Sequence, residues 1–155
     1  MEGLMRADKI ERDILINAPM ARVWALITQA EHLGTWFGDA GAEIDLREGG
    51  ELELRWEQHG TTRGRIERVD EPTAFAFRWA PYKDPGGAEP VAGNSTLVEF
   101  TLVAEGDATR VRVVETGFAS LDTSSAQQAN DYEANSKGWS LELDELAAYA
   151  TRVRI

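Results

Sequence analysis

The chain has 155 residues, a length that suits one domain with a buried core. It contains no cysteine, so disulfides, thiolate metal ligands and a cysteine nucleophile are excluded. With 27 acidic and 16 basic residues the formal net charge is -11, and such a field repels nucleic-acid phosphates and anionic lipid surfaces. We therefore expect a cytoplasmic protein without nucleic-acid or membrane partners, because the sequence also shows no signal peptide and no apolar membrane segment.

The N-terminal part of the chain predicts one strand followed by two short helices. Residues 9–16, KIERDILI, alternate apolar and charged positions, which is typical of a half-buried strand. Pro19 suits the first turn of a helix, and the apolar residues after it recur at helical spacing. Residues 30–37 predict a second short helix, which ends at Gly38.

The middle of the chain predicts a series of antiparallel strands with one apolar face. In most of these segments apolar residues alternate with polar ones, and glycine-containing turns join two pairs of them into hairpins. The segments are residues 42–47, 51–56, 61–69, 74–79, 95–103 and 109–117. Residues 81–95 carry three prolines and three glycines, which predicts a mobile loop between two strands of the sheet, placed to act as an entrance flap.

The C-terminal part predicts one long helix. Ser124 with Gln127 resembles a capping box, and from there the apolar residues follow a helical period. One stripe of this helix contains Tyr132, Trp139, Leu143, Leu146, Ala150 and Val153. The predicted fold class is α+β: a curved antiparallel β-sheet wrapped around this C-terminal α-helix, with two short helices after the first strand, buries every apolar face. We expect a flexible N-terminus at 1–9 and a single domain at 10–155.

Five stretches of the chain carry a resemblance to a known family. They are residues 16–37, 44–56, 95–102, 108–118 and 135–149. The chain resembles the START/Bet v1-like (SRPBCC) superfamily and, within it, the group named after the C-terminal domain of the Hsp90 ATPase activator. The resemblance runs from about residue 10 to residue 150. It implies a helix-grip fold, in which the sheet closes on the long helix and leaves a cavity for apolar or amphipathic small molecules.

Members of this superfamily include binding proteins, cyclases, hydrolases and co-chaperone domains, so the resemblance leaves the function open. Our first hypothesis is a protein that binds a small apolar or aromatic molecule. The alternatives are a cyclase- or hydrolase-type enzyme and an interaction domain of the Hsp90-activator type. A chaperone partner is not our expectation, because the activator has an additional N-terminal domain for which this chain has no room.

The two histidines do not indicate a catalytic or metal site. His32 and His59 have no partners at metal-ligand spacing and form no recognisable serine triad. We therefore expect both on the solvated surface, and we predict no metal, no cofactor and no specific catalytic residue.

Large aromatic residues are the first candidates for a binding site. Trp36 and Phe37 stand between Gly34 and Gly38, and two interpretations remain open: both rings belong to the core, or they form a lid whose glycines let the backbone move. Further large rings are expected to face the same interior, where they either fill it or line a ligand cavity. These are Trp56, Phe75, Phe77, Trp79 and Trp139.

Polar groups on the terminal helix are the second set of candidates. Tyr132, Asn135 and Trp139 lie on one face of this helix. The Asn135 amide needs partners, which are either structural groups or a ligand. Gly138 interrupts the same helix at a cost of about 1 kcal/mol relative to alanine, which predicts a bend or a close approach of the sheet.

Glu115 is the sharpest candidate. Strict alternation with Val111 and Val113 places its carboxylate in the interior, where burying it unpaired costs several kcal/mol. It should therefore have a raised pKa or meet a donor such as the Tyr132 hydroxyl or an indole N–H. That would make it a polar anchor for a ligand or, in an enzyme, a general acid or base. The alternative is that the strand bulges before Gly117 and turns Glu115 outward.

Overall fold

An antiparallel sheet forms one side of the molecule. The structure, a computed structural model of the chain, describes residues 8–58, 60–80, 89–91 and 93–153. Within these residues seven strands form one sheet in the order β1-β7-β6-β5-β4-β3-β2, and every neighbouring pair is antiparallel. The strands are β1 (Lys9–Ile16), β2 (Ala42–Ile44), β3 (Glu51–Trp56), β4 (Gly60–Asp70), β5 (Ala74–Trp79), β6 (Thr96–Glu105) and β7 (Ala108–Thr116).

Helices connect and cover this sheet, and their ends follow the capping signals of the sequence. The described helical segments are α1 (Met20–Thr28), α2 (Ala30–His32), a π-helical turn (Leu33–Phe37), a 3₁₀ turn (Phe118–Ser120) and α3 (Ser125–Arg152). Pro19 directly precedes α1, where its missing N–H costs no helical hydrogen bond. Ser124 caps α3, because its side chain accepts the backbone N–H of Gln127.

The core lies between the inner face of the sheet and α3. Val98, Phe100 and Leu102 alternate inward along β6, and each is at most 3% exposed. From the other side, α3 contributes Trp139 and Leu146 to the same apolar cluster. A curved sheet around a long C-terminal helix, with two short helical segments after β1, confirms the predicted α+β helix-grip fold.

Two strands differ from their predicted extents. β2 ends at Ile44, and Leu46 lies beyond it with 36% of its surface exposed, because the chain turns sharply between Asp45 and Gly50. β4 is longer than predicted, and a bulge between Ile66 and Arg68 explains its irregular pattern.

Two predictions of mobility fall wholly or partly on residues 1–7, 81–88 and 92, which lie outside the described residues. At the N-terminus, the description starts with Asp8, whose carboxylate accepts the N–H of Ala119. In the described end of the predicted loop, the side-chain amide of Asn94 donates a hydrogen bond to the backbone carbonyl of Glu89 at 3.0 Å. The predicted entrance flap remains a prediction.

Candidate ligand-binding cleft

Glu115 lies inside the protein, as the alternation along β7 predicts. It pairs with Ile10 of β1 and Val98 of β6 in regular register, and none of its surface is exposed. No bulge interrupts β7 before Gly117 in the described strand pairs, so the alternative of an outward-facing side chain is wrong. A sheet position between two paired strands therefore fixes a carboxylate in the core.

Five hydrogen bonds from four side chains satisfy this carboxylate. Oε2 accepts the indole N–H of Trp79 at 2.8 Å and the hydroxyl of Thr96 at 2.5 Å. Oε1 accepts the indole N–H of Trp139 at 2.8 Å. The Asn135 amide donates to both oxygens at 3.1 Å. The predicted indole partners are therefore present, and the Asn135 amide has a structural partner.

The second predicted donor is directed elsewhere. The Tyr132 hydroxyl donates to the backbone carbonyl of Lys9 at 3.2 Å, so of the two alternative donors the indole N–H is the one that meets Glu115. Burial raises the pKa of Glu115, as predicted, whereas the hydrogen bonds it accepts, led by that of Thr96, lower it. The carboxylate thus acts as a fixed acceptor that orients the side chains around it.

Three of those side chains form part of a cleft between α3 and one side of the sheet. The cleft has a volume of about 890 Å³, within the range of small-molecule sites. It is lined by Phe37, Trp56, Thr62, Trp79, Ala80, Thr123, Gln127, Asn130, Asp131, Ala134, Asn135, Gly138, Trp139, Leu141 and Glu142. Side chains therefore leave a cleft between α3 and the sheet.

Large rings form one wall of the cleft, which we call the aromatic wall: Phe37, Trp56, Trp79 and Trp139. Phe37 lies at its centre, with ring-centroid distances of 5.7 Å to Trp56, 5.6 Å to Trp79 and 5.4 Å to Trp139. The Trp56 indole also donates to the Phe37 carbonyl at 2.9 Å. These contacts hold the rings in place without a ligand.

The ten residues predicted for the site divide into two groups. Phe37, Trp56, Trp79, Asn135 and Trp139 line the cleft, whereas Trp36, Phe75, Phe77, Glu115 and Tyr132 lie outside its lining. Trp36 is 2% exposed and donates its indole N–H to the Leu26 carbonyl at 2.7 Å. Phe75 and Phe77 are 1% exposed and pack on Phe100 in the core.

The glycines beside Trp36 and Phe37 permit close backbone packing. A Cβ at Gly34 would lie 2.6 Å from the backbone nitrogen of Ala42, and a Cβ at Gly38 would lie 2.8 Å from the carbonyl oxygen of Arg55. Any larger residue would push the π-helical turn away from β2 and β3. Of the two interpretations that the sequence left open, these close contacts favour packed rings over a movable lid, and they fix Phe37 at the cleft.

Gly138 has the opposite environment. It lies within the continuous helix α3, and a Cβ placed on it would meet no atom within 4 Å, because the residue lines the cleft. The prediction of a close approach of the sheet is wrong. Neither packing nor helix geometry requires glycine here, and its absent side chain leaves room in the cleft.

Two acidic residues of the cleft were missed from the sequence. Asp131 is 3% exposed; Oδ1 accepts the Gln127 amide at 2.8 Å, whereas Oδ2 has no hydrogen-bond partner. Burial raises the pKa of Asp131, and the hydrogen bond from Gln127 opposes this. Burial, followed by the charges of Glu145 and Asp39, raises the pKa of Glu142 to about 8. Their helical spacing to Trp139 was the available signal.

His32 is not on the surface. It is 7% exposed, and its Nδ1 lies 2.7 Å from the Tyr149 hydroxyl in a buried hydrogen bond, so the predicted solvated position is wrong. His59 lies outside the described residues. Among the residues that the structure describes, no cluster of three or more potential ligands has the arrangement of a metal site.

A curved antiparallel sheet closed on a long C-terminal helix, with a cleft between them, defines a helix-grip protein. The model of the family described as "Activator of Hsp90 ATPase homolog 1-like protein" matches residues 17–151, so the chain belongs to this family. The resemblance stated from the sequence is confirmed. This fold commonly binds hydrophobic ligands.

Solved structures share the fold at low sequence identity. DynU16, a protein of the dynemicin biosynthetic locus, is 19% identical with a TM-score of 0.72; the match covers 94% of this chain and 48% of DynU16, so this chain spans about half of that protein. CalU16 from Micromonospora echinospora is 24% identical with a TM-score of 0.66, covering 93% and 76% of the two chains. MLL2253 from Mesorhizobium loti is 17% identical with a TM-score of 0.75, covering 95% and 99%.

A search of curated proteins gave no significant match. None of the described helices is both long enough and apolar enough to cross a bilayer.

Proposed function

We propose that the protein binds a small apolar or aromatic molecule in the cleft between α3 and the sheet. The observation that carries this proposal is the 890 Å³ space bordered by the aromatic wall. Rings of this size offer much contact area and lose little conformational freedom on binding, which suits a flat ligand. Phe37, Trp56, Trp79, Asn135 and Trp139 are the predicted contacts.

The fixed orientation of the wall supports this proposal. Trp79, Trp139 and Asn135 donate to Glu115 behind the wall, so their positions are set before a ligand arrives. A site that is already ordered loses less entropy on binding and gains affinity. In this proposal Glu115 positions the wall and does not contact the ligand itself.

Gly138 gives independent support. Glycine inside a helix costs about 1 kcal/mol relative to alanine. Here it makes no close packing contact that would compensate, and it faces the cleft. A helix position without a side chain that faces the cleft is consistent with space kept for a ligand.

The enzyme alternative has one specific observation in its favour. Glu142 lines the cleft and has a pKa of about 8, a value that suits a group that donates or accepts a proton near neutral pH. Hydrolysis or cyclisation of a bound molecule would then depend on Glu142. Loss of turnover in Glu142→Gln with unchanged ligand affinity would support this second candidate. For Hsp90 activation, the family description is the only supporting observation.

Filling the cleft tests the binding proposal. Calorimetric titration with 2-naphthaleneethanol, a neutral aromatic probe, should give saturable binding to the native protein. Gly138→Leu places a side chain in the cleft and should weaken binding at least about ten-fold, the equivalent of about 1.4 kcal/mol. Ala148→Leu, on the exposed side of α3, is the control and should bind normally. Equal affinity in both variants would contradict the location of the site.

A further inference from the structure

One end of the cleft contains hydrogen-bond acceptors without partners. Among the residues that the structure describes, two buried side-chain polar atoms have no hydrogen-bond partner: Thr123 Oγ1 and Asp131 Oδ2. Both residues line the cleft. Buried polar atoms are paired in the great majority of cases, and leaving one unpaired costs about 1 to 3 kcal/mol. A donor from outside the chain that enters the cleft can supply the missing partner of Asp131 Oδ2.

The surroundings hold these two residues in place. Gln127 donates to Asp131 Oδ1 at 2.8 Å, which fixes the carboxylate and leaves Oδ2 as the unused acceptor. Thr123 lies just before the cap of α3, and its backbone carbonyl accepts the Gln128 amide at 3.4 Å. A donor group that enters this end of the cleft beside Asp131 therefore meets a preplaced acceptor. We call Thr123, Gln127 and Asp131 the polar end.

The charge of the lining selects the kind of donor. The acidic lining residues are Asp131 and Glu142, and Glu142, whose pKa is raised to about 8, is mostly protonated at pH 7 and adds little charge. No lysine, arginine or histidine is among the described lining residues. The whole chain adds a formal charge of -11. A positively charged group is attracted to this site, whereas a carboxylate or phosphate is repelled.

The aromatic wall is compatible with the same charge. Trp79 and Trp139 use their N–H groups on Glu115, so these donors are directed away from the cleft that the rings line. These rings therefore direct no N–H towards the cleft that would repel a positively charged nitrogen at Asp131. Asp131 lies eight residues before Trp139 on α3, which is about 12 Å along the helix axis. A small molecule is long enough to contact both.

We propose that the ligand of this cleft is an aromatic or apolar amine, whose protonated nitrogen donates a hydrogen bond to Asp131 Oδ2 while its apolar body packs on the aromatic wall. This inference rests on the proposed ligand-binding function and names the chemical class of the ligand. Burial raises the pKa of Asp131 in the free protein, and a cation beside Oδ2 offsets the cost of ionisation there.

Three probes with the same aromatic body test the inference by calorimetry at pH 7. They are 2-(2-naphthyl)ethylamine, 2-naphthaleneethanol and 2-naphthylacetate. A charge-assisted hydrogen bond contributes about 1.5 to 3 kcal/mol, so the amine should bind about ten- to a hundred-fold more tightly than the alcohol, and the carboxylate most weakly. Equal affinity for amine and alcohol would overturn the inference but leave the proposed function intact. Failure of all three to bind would overturn both.

Variants of the polar end test whether it causes the preference for the amine over the alcohol. Asp131→Asn keeps the shape and the Gln127 hydrogen bond, and it should reduce amine binding at least about ten-fold while changing alcohol binding less than about two-fold. Asp131→Ser, which also removes the acceptor carboxylate, should cause a similar loss of amine binding and serves as the second variant if Asp131→Asn is poorly folded. Asp144→Asn, an exposed position of α3, removes the same charge outside the cleft and is the control. Equal losses in Asp131→Asn and Asp144→Asn would show a general charge effect and overturn the inference.

Discussion

Two buried carboxylates of this protein have opposite surroundings. Glu115 lies in the sheet and accepts five hydrogen bonds from four side chains. Asp131 lies on α3 and accepts one, at Oδ1, while Oδ2 is unpartnered. Burial raises the pKa of both. Burial alone therefore does not assign a role to a carboxylate. The satisfied carboxylate of Glu115 orients the side chains around it, and the unsatisfied oxygen of Asp131 is the acceptor that we propose for the ligand.

The largest effect is expected from removing the satisfied carboxylate. Glu115→Leu leaves the buried donors of Trp79, Trp139 and Asn135 without an acceptor, at about 1 to 3 kcal/mol each before relaxation, so we expect a loss of about 3 to 5 kcal/mol in the free energy of unfolding. Urea denaturation measures it. Glu51→Leu, at an exposed position of β3, is the control. A loss below about 1 kcal/mol would mean that the hydrogen bonds do not support the wall.

The contribution of Glu142 to stability should depend on pH. Its folded pKa of about 8 exceeds its ordinary value of 4.5, because of burial and the charges of Glu145 and Asp39. The folded state therefore binds its proton more tightly than the unfolded state, and this group's contribution to stability decreases as pH rises from 4.5 to 8. Glu142→Gln cannot ionise, so it should exceed the native protein in stability by about 1 to 2 kcal/mol at pH 9, allowing for partial solvent access.

Thermal melts from pH 5 to pH 9 test this prediction. The advantage of Glu142→Gln should be absent near pH 5 and should grow with pH. Parallel curves for the native protein and the variant over this range would contradict the raised pKa.

Gly138 should lower the stability of the folded protein, because glycine has a low helix propensity and makes no compensating packing contact here. Gly138→Ala adds a methyl group where no atom lies within 4 Å, so the stability should rise by about 1 kcal/mol from helix propensity alone. Gly34→Ala is the contrasting variant, since its Cβ would lie 2.6 Å from the backbone of Ala42, and it should destabilise the protein. Chemical denaturation of both distinguishes space kept open from space closed by packing. Destabilisation by Gly138→Ala would show a packing requirement that the structure does not contain.

The smallest change is expected at Asp131 in the absence of ligand. Asp131→Asn retains an oxygen for the Gln127 amide and removes a buried charge with an unused acceptor. The free energy of unfolding should therefore change by less than about 1 kcal/mol, in the stabilising direction. A loss comparable to that of Glu115→Leu in the same urea experiment would show that Asp131 is structural after all.

The sequence was sufficient to predict local patterns and insufficient for contacts between distant segments. Alternation along β7 placed Glu115 in the interior, and the helical period placed Asn135 and Trp139 on one face of α3. The partners of Glu115 come from β5, β6 and α3. The positions of their donor atoms therefore depend on the register of the sheet and on how α3 packs against it.

The limits of prediction from the sequence are clearest where similar sequence patterns lead to different positions in the structure. Phe77 and Trp79 alternate on the same face of β5, yet Trp79 lines the cleft and Phe77 lies in the core, because the position relative to α3 decides. His32 is buried by Tyr149, which follows 117 residues later. Asp131 had the helical spacing of a cleft residue, but an acidic residue on a helix is usually solvated, so its burial was not expected.

The most direct test of ligand binding in the cleft uses the indole N–H signals of the five tryptophans in an NMR titration with 2-naphthaleneethanol. Trp56, Trp79 and Trp139 line the cleft, whereas Trp24 and Trp36 do not. The account predicts saturable shifts of the first three signals and little change in the other two. Absence of any shift up to the solubility limit of the probe, or equal shifts of all five signals, would contradict it.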